Sequence, residues 1–148
     1  MSFENLKLNK AEKILNKVFK NYGGGGLEFE YEYEENGLVA RCDLTLKGCD
    51  DGILASFKFF TGGNVALDFY FDHLEANAHT LSLLNEFNNN VYYLKAFISD
   101  KGYLVVSAPV EYLNLDTLDE TMARVMNEFI DDDVQKYLFP LTELTTRD

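Results

Sequence analysis

Catalytic chemistry has few candidate residues in this chain. His73 and His79 are the two histidines, and their spacing of six positions does not place them on one helical face or beside a clear nucleophile. No Gly-x-Ser-x-Gly, His-Glu-x-x-His or Walker pattern is present. We therefore predict a non-enzyme without a cofactor. The alternative, a small hydrolase or ligand-binding protein, requires a deep pocket that holds either histidine beside carboxylates.

Metal binding is also not predicted. The run 131–133 consists of three aspartates, but consecutive helical carboxylates diverge, whereas a calcium loop needs spaced oxygen ligands. Cys42 and Cys49 lack the spacing of metal ligands and have no histidine nearby. We expect Cys42 to be a buried thiol, whereas Cys49 remains open between a thiol and a disulfide.

The charge balance restricts the partners. Thirteen basic and 25 acidic residues give a net charge of −12, which repels nucleic acid and anionic membranes and favours basic protein partners. No apolar run approaches the roughly 20 residues of a membrane span. Lysines recur near the N-terminus, where a signal peptide would be uninterruptedly apolar, so we expect a cytoplasmic protein with no membrane association.

A row of glutamates suggests a competing function. Residues 27–35 alternate strictly, which predicts a strand with an acidic face. Same-face residues repeat at about 6.6 Å, close to twice the ~3.4 Å phosphate step of a DNA strand, so a DNA-mimicking inhibitor is the first alternative. Arg41 and Lys58 are expected on the same sheet face and oppose that reading. The predicted acidic strand face is formed by Glu28, Glu30, Glu32 and Glu34.

Turn signals predict three hairpins. Asn36-Gly37 favours a two-residue turn that pairs Tyr33 with Ala40. A three-residue loop at 62–64 would pair Phe57 with Phe69, and another at 100–102 would pair Phe97 with Val105. Pro109 indicates an edge or a strand end, because proline cannot donate to a ladder.

Helical periodicity predicts elements around these strands. An N-terminal helix over residues 1–22 is expected to end at the glycine-rich linker 21–26. A middle helix has two possible entries, an acidic box at 72–75 or a cap at Asn77. The last helix would begin at Asn114 or Asp116, with a possible bend or break at 131–133 and a stop at Pro140. The stripe of the middle helix is formed by Leu74, Ala78, Leu81, Leu84 and Phe87.

The outward sheet face carries the candidate binding residues. The registers above place aromatic and aliphatic side chains there, where exposed clusters usually mark a contact surface. A covering helix would instead make these residues part of the core, and the sequence leaves both possibilities open. The candidate protein-binding residues are Phe60, Tyr70, Tyr93, Phe97 and Val105.

The segment 84–106 resembles the YbjN-like family of bacterial proteins. The likeness rests on Leu-Asn-Glu-Phe-Asn at 84–88, Lys-Ala-Phe-Ile at 95–98, Asp-Lys-Gly at 100–102 and Leu-Val-Val at 104–106. It extends over roughly residues 78–138. The resemblance implies a fold similar to the acidic, dimeric chaperones of type III secretion. From the residues themselves, the Asn85 and Asn88 amides are expected to meet open backbone groups at the end of the helix.

We expect an α+β domain spanning residues 1–148, with an antiparallel sheet, the order α-β-β-β-β-α-β-β-α and helices packed on the sheet. Residues 140–148 are expected to be a frayed tail. The predicted function is that of a non-catalytic protein-binding or chaperone-like module of a bacterial or phage cytoplasm. It would act as a homodimer through the outer sheet face or the last helix.

Overall fold

The computed structural model describes residues 10, 12–18, 29–35, 37–44, 53–60, 64–111 and 118–146. Several predictions lie outside these residues: the glycine-rich linker at 21–26, Cys49, Glu28, residues 62 and 63 of the loop predicted at 62–64, and the start of the last helix at Asn114 or Asp116. Residues 12–18 are helical and form the described part of helix α1.

The described elements confirm the predicted α+β class and antiparallel sheet. Their order also follows the prediction, except that the last helix is divided into two. The strands are β1 (Glu30–Glu34), β2 (Gly37–Leu44), β3 (Ile53–Phe60), β4 (Asn64–His73), β5 (Lys95–Ile98) and β6 (Tyr103–Glu111). The remaining helices are α2 (Ala78–Asn90), α3 (Leu118–Phe129) and α4 (Asp132–Thr142).

One antiparallel sheet has the strand order β1-β2-β3-β4-β6-β5. Its strands alternate between buried and more accessible residues, because successive side chains point to opposite faces. Along β3 the buried residues are Ile53, Ala55, Phe57 and Phe59. The inner face shares a core with residues of α1, α2, α3 and α4. All helices of the described part of the chain therefore contribute to the same face of the sheet, and the opposite face is called the outer face below.

Aromatic packing links the last helices to the middle of the sheet. Phe69 on β4 is fully buried and stacks on Phe129 of α3, with ring centroids 4.2 Å apart and planes 10° apart. The edge of Phe57 meets Phe69 at 6.1 Å. At the N-terminal side, Lys17 of α1 forms an ion pair of 2.5 Å with Asp119 in the first turn of α3. This ion pair adds little to stability, because the Lys17 side chain is mostly exposed.

The register of the first hairpin differs from the prediction by two residues. Tyr33 lies opposite Leu38 instead of Ala40. Gly37 is a strand residue opposite Phe60 of β3, where an added Cβ would lie 2.1 Å from the Phe59 carbonyl oxygen. This glycine is therefore required by the close approach of two strands rather than by the turn. The inward and outward faces are unchanged, because a shift of two residues preserves the alternation.

The pairing of β3 with β4 is also shifted by two residues. Phe57 lies opposite Leu67 rather than Phe69, and Lys58 lies opposite Ala66. β3 ends at Phe60 and β4 begins at Asn64, so Asn64, which was expected in the loop, is a strand residue.

The third hairpin has the predicted register. Phe97 lies opposite Val105, and Gly102 has a φ of 88°, the left-handed conformation that the three-residue loop requires. Pro109 lies in β6 opposite Ala66, beyond the stretch of β6 that pairs with β5. Its missing donor therefore interrupts no pairing with β5.

Helix α2 begins at the second of the two predicted caps. The Asn77 side chain accepts a hydrogen bond of 3.0 Å from the Thr80 backbone N–H, and the Asn77 N–H donates to Thr80 Oγ1 at 2.9 Å. This reciprocal capping box fixes the start of the helix, and the residues at 72–73 belong to β4 instead. The expected apolar stripe is only partly correct, because Ala78 and Leu81 are exposed.

The C-terminal region contains two helices and an ordered end. The Asp131 carboxylate accepts from the Asp133 N–H at 2.8 Å and caps α4, so the acidic run breaks the helix as anticipated. Pro140 does not end α4, which continues to Thr142. Thr146 then pairs with His73 through backbone hydrogen bonds of 2.8 and 3.2 Å, in contrast to the expected frayed tail. No helix in these described ranges combines the length and apolar character needed to cross a membrane.

Candidate protein-binding surface

Four apolar side chains form a line across the outer face. Leu54 of β3 lies opposite Tyr70 of β4, which lies opposite Val105 of β6, and Val105 lies opposite Phe97 of β5. We call these four residues the apolar row. Adjacent strands lie about 4.8 Å apart, so the row extends over roughly 14 Å. Three of the five predicted binding residues are therefore neighbours.

Exposure within the apolar row is uneven. The two ends are accessible, with Leu54 at 42% and Phe97 at 43%, and Tyr70 is half-buried. Val105 is 1% exposed, which corresponds to the buried alternative that the sequence left open. Val105 lies between Tyr70 on β4 and Phe97 on β5, which are the residues directly opposite it. Burial raises the pKa of the Tyr70 phenol, which remains neutral at physiological pH.

The other two predicted binding residues lie elsewhere. Phe60 is at the far end of β3 from Leu54, about 20 Å along the strand, and the Lys58 ammonium lies 4.9 Å from its ring centroid. Tyr93 is 72% exposed in the connector between α2 and β5. Burial raises the pKa of the nearby Glu128 carboxyl. A hydrogen bond from the Tyr93 backbone N–H to that carboxylate offsets only part of this effect.

Leu54 was not among the predicted site residues. Its position in the alternation places it outward together with Ser56 and Lys58. The predicted pairing of β3 with β4 would have set it opposite Asp72, at the end of the strand. The actual register sets it opposite Tyr70, so the error of two residues separated it from its apolar neighbours. The alternation identifies the sheet face on which Leu54 lies, but only the register shows which residues lie beside it.

A line of polar residues runs beside the apolar row. It begins with Glu30 on β1 and ends with Lys95 on β5, and both side chains are exposed. Carboxylate, guanidinium, hydroxyl and ammonium groups alternate along it. We call this line the polar row; in strand order it consists of Glu30, Arg41, Ser56, Asp68, Ser107 and Lys95.

The acidic strand face is partly neutralised. Glu32 Oε2 lies 2.8 Å from Arg41 Nη1, and Glu34 Oε2 lies 2.6 Å from Lys58 Nζ. The hydrogen bond from Lys58 holds the pKa of Glu34 below its usual value. A mimic of DNA would present a regular series of unpaired charges, and two of the three described glutamates are paired here. These contacts do not favour the DNA-mimic alternative.

The edge of β5 is closed by a side chain. The Asn88 amide donates to the Ala96 carbonyl at 2.9 Å, and its oxygen accepts from the Ala96 N–H at 2.8 Å. The amide thereby takes the place of a neighbouring strand, as expected for Asn88 but not for Asn85, which is exposed. Because an open edge invites strand addition, this contact disfavours association through the edge of β5.

Replacement of Asn88 tests this edge contact. We expect Asn88→Ala to lower the free energy of unfolding by about 1–2 kcal/mol, because two hydrogen bonds to the backbone are lost. The Ala96 amide should also exchange its hydrogen faster. Chemical denaturation and hydrogen–deuterium exchange measure the two effects. Asn85→Ala is the matched control and should show neither; unchanged exchange at Ala96 in Asn88→Ala would contradict the assignment.

A cleft lies on the helical side of the molecule. It has a volume of about 510 Å³ and is open between the end of α2 and the junction of α3 with α4. Glu128, Asp131 and Asp133 supply carboxylates, and Tyr92 and Tyr137 supply aromatic surface. Lys136 is the one basic residue in this lining, so the cleft carries a net negative charge and suits contact with basic side chains.

The remaining candidate residues have structural positions. The His73 ring stacks on Tyr103 at 4.2 Å, and His79 is exposed on α2. Cys42 is a buried free thiol, as predicted, and burial raises its pKa to about 12. Within the described ranges, no three histidine, cysteine or acidic side chains are grouped so that they could hold a metal ion.

The fold and this surface define an α+β protein whose sheet is covered by helices on one face and carries accessible apolar side chains on the other. No protein-family model matches the chain, and no curated protein matches it significantly, so the resemblance to the YbjN-like family is not confirmed. A solved structure, the heterodimeric ExoU–SpcU complex from the type III secretion system of Pseudomonas aeruginosa, aligns with a TM-score of 0.47 and 12% identity. The alignment covers 90% of this chain and 95% of that chain. At this similarity it carries no functional conclusion.

Proposed function

We propose that this protein is a non-catalytic protein-binding or chaperone-like module of a bacterial or phage cytoplasm, and that it acts as a homodimer. The observation that carries the proposal is the apolar row, with its exposed ends at Leu54 and Phe97. Large apolar side chains that are exposed on a sheet face, as Leu54 and Phe97 are, are typical of interaction surfaces.

Binding through the face, rather than through the edge of β5, is supported by the Asn88 contact. A partner cannot bond to Ala96 as an added strand while the Asn88 amide occupies the same donor and acceptor. The face offers side-chain contacts instead, with polar groups directly beside the apolar ones. Ordinary protein interfaces likewise combine apolar side chains with polar ones.

A further protein partner with basic character is supported by charge. The chain has a net charge of −12, and the cleft beside α4 has carboxylates at Glu128, Asp131 and Asp133. Such a field attracts basic proteins at long range and speeds their association. We infer that a partner approaches with a basic surface, whereas nucleic acid is repelled.

Light scattering and affinity capture test the proposal. The mass of the wild-type protein should rise with concentration toward twice the 16.9 kDa of one chain. A tagged chain should also capture a protein from a lysate of its host, and high salt should release a basic partner. A monomer at every concentration that captures no protein would overturn the proposal.

A further inference from the structure

We propose that the second copy packs face to face on the outer surface with its strand order reversed, so that Glu30 of each copy lies opposite Lys95 of the other. This inference rests on the homodimer of the proposed function and specifies its geometry. The required operation is a two-fold axis that lies in the interface, parallel to the strands and between β3 and β4. These strands occupy the third and fourth places in the sheet order.

The polar row is self-complementary under this operation. Its acidic end, Glu30, is brought over the basic end, Lys95, of the second copy, and the symmetry makes this contact twice. In the middle of the row, Asp68 is brought over the Ser56 hydroxyl of the second copy, which can donate to it. No like charges of the polar row are superposed, and complementary charges of this kind set the register of an interface.

The apolar row supplies the complementary apolar contact. Reversal of the strand order brings Leu54 of one copy over Tyr70 of the other, so the exposed Leu54 meets an aromatic ring. Two packed sheets keep their strands within about 30° of each other, which keeps equivalent rows close together near the axis. Leu54 is thereby removed from water near the axis. Farther from the axis, Val105 is brought over Asp43, which continues the row on β2, and Phe97 is brought beside Glu30 on β1 of the second copy.

The other face-to-face arrangement is less favourable. An axis perpendicular to the strands would stack each strand on itself. If that axis passed through the polar row, Asp68 would meet Asp68, and Lys95 would meet Lys95. If it passed through the apolar row, only one end of the sheets would overlap, because this row lies one residue from the start of β3 and one from the end of β5.

The available area is sufficient for a dimer in the reversed arrangement. The six strands contain 44 residues in all, and at about 3.3 Å per residue and about 4.8 Å between strands they present on the order of 700 Å². A standard interface buries about 800 Å² per partner. Full overlap of the two faces thus reaches the range of specific complexes, whereas overlap at one end of the sheets does not.

Charge reversal tests the pairing of Glu30 with Lys95. The wild-type dissociation constant is first measured by sedimentation equilibrium. Glu30→Lys and Lys95→Glu alone should each raise it about 10- to 100-fold, because each creates two like-charge contacts in the dimer. Both side chains are exposed, so the fold is expected to survive, and circular dichroism checks this. The double variant carrying both substitutions should return to within about threefold of the wild-type value.

Mixing the two single variants gives a second readout. A Glu30→Lys chain and a Lys95→Glu chain restore both opposite-charge contacts between them, so their mixture should form heterodimers although each alone is largely monomeric. If both single variants dimerise as tightly as the wild type, the reversed arrangement is wrong while the homodimer stands. If the wild type itself is monomeric, both the arrangement and the proposed homodimer fail.

Discussion

Phe69→Ala is expected to lower the free energy of unfolding by about 3–5 kcal/mol, the usual cost of truncating a buried phenylalanine. Phe69 is fully buried at the middle of the sheet and touches aromatic rings on two sides. Because small domains are stable by only about 5–15 kcal/mol, this loss removes a large part of the total. Urea denaturation followed by circular dichroism measures it.

The matched control is Phe139→Ala, a substitution of the same type at a residue that is 38% exposed on α4. It should cost less than about 1 kcal/mol. A double-mutant cycle of Phe69 with Phe129 should give a coupling of about 0.5–1.5 kcal/mol from the stacked rings. A loss at Phe69 no larger than that at Phe139 would contradict the packing of α3 on β4.

Phe97→Asp is expected to raise the dissociation constant of the homodimer at least about 100-fold. It removes an apolar side chain from the interface and places a carboxylate beside Glu30 of the second copy, and like charges brought together in an interface cost several kcal/mol. A loss of about 2.8 kcal/mol already corresponds to a factor of 100. Sedimentation equilibrium measures the change. Since Phe97 is 43% exposed in the isolated chain, the fold should be retained.

Phe139→Asp separates the two surfaces considered for dimerisation. Phe139 has a similar exposure, but it lies on α4, the last helix. If the outer face binds the second copy, this variant should dimerise like the wild type. Dimer loss in Phe139→Asp, with none in Phe97→Asp, would move the interface to α4.

The sequence predicted which residues face inward more reliably than it predicted their partners. Alternation along β3 assigns Phe57 to the core and Leu54 to the outer face, and both assignments are correct. The register depends on where a turn closes, and a shift of two residues leaves the alternation intact. The sequence is equally compatible with Gly37 in a turn. Its place in β2 could not be predicted, because the need for a glycine there comes from the close approach of β3, which is distant in the sequence.

The candidate surface was predicted in part for the same reason. The pair of Phe97 with Val105 follows from a short hairpin whose loop contains its own glycine signal. Helix α2 and strand β5 separate β4 from β6 in the sequence, so no local signal could place Tyr70 beside Val105. Asn88 shows the reverse case: its role at the helix end was predictable, but its target Ala96 required the fold.

Hydroxyl-radical footprinting of the wild-type protein tests the central claim most directly, because it reports the exposure of each side chain in one sample. Oxidation is compared at concentrations below and above the dissociation constant. We expect Phe97 and Leu54 to become several-fold less reactive in the dimer, whereas Phe139 should keep its reactivity. Unchanged reactivity of Phe97 in a dimeric sample, or protection of Phe139 instead, would contradict it.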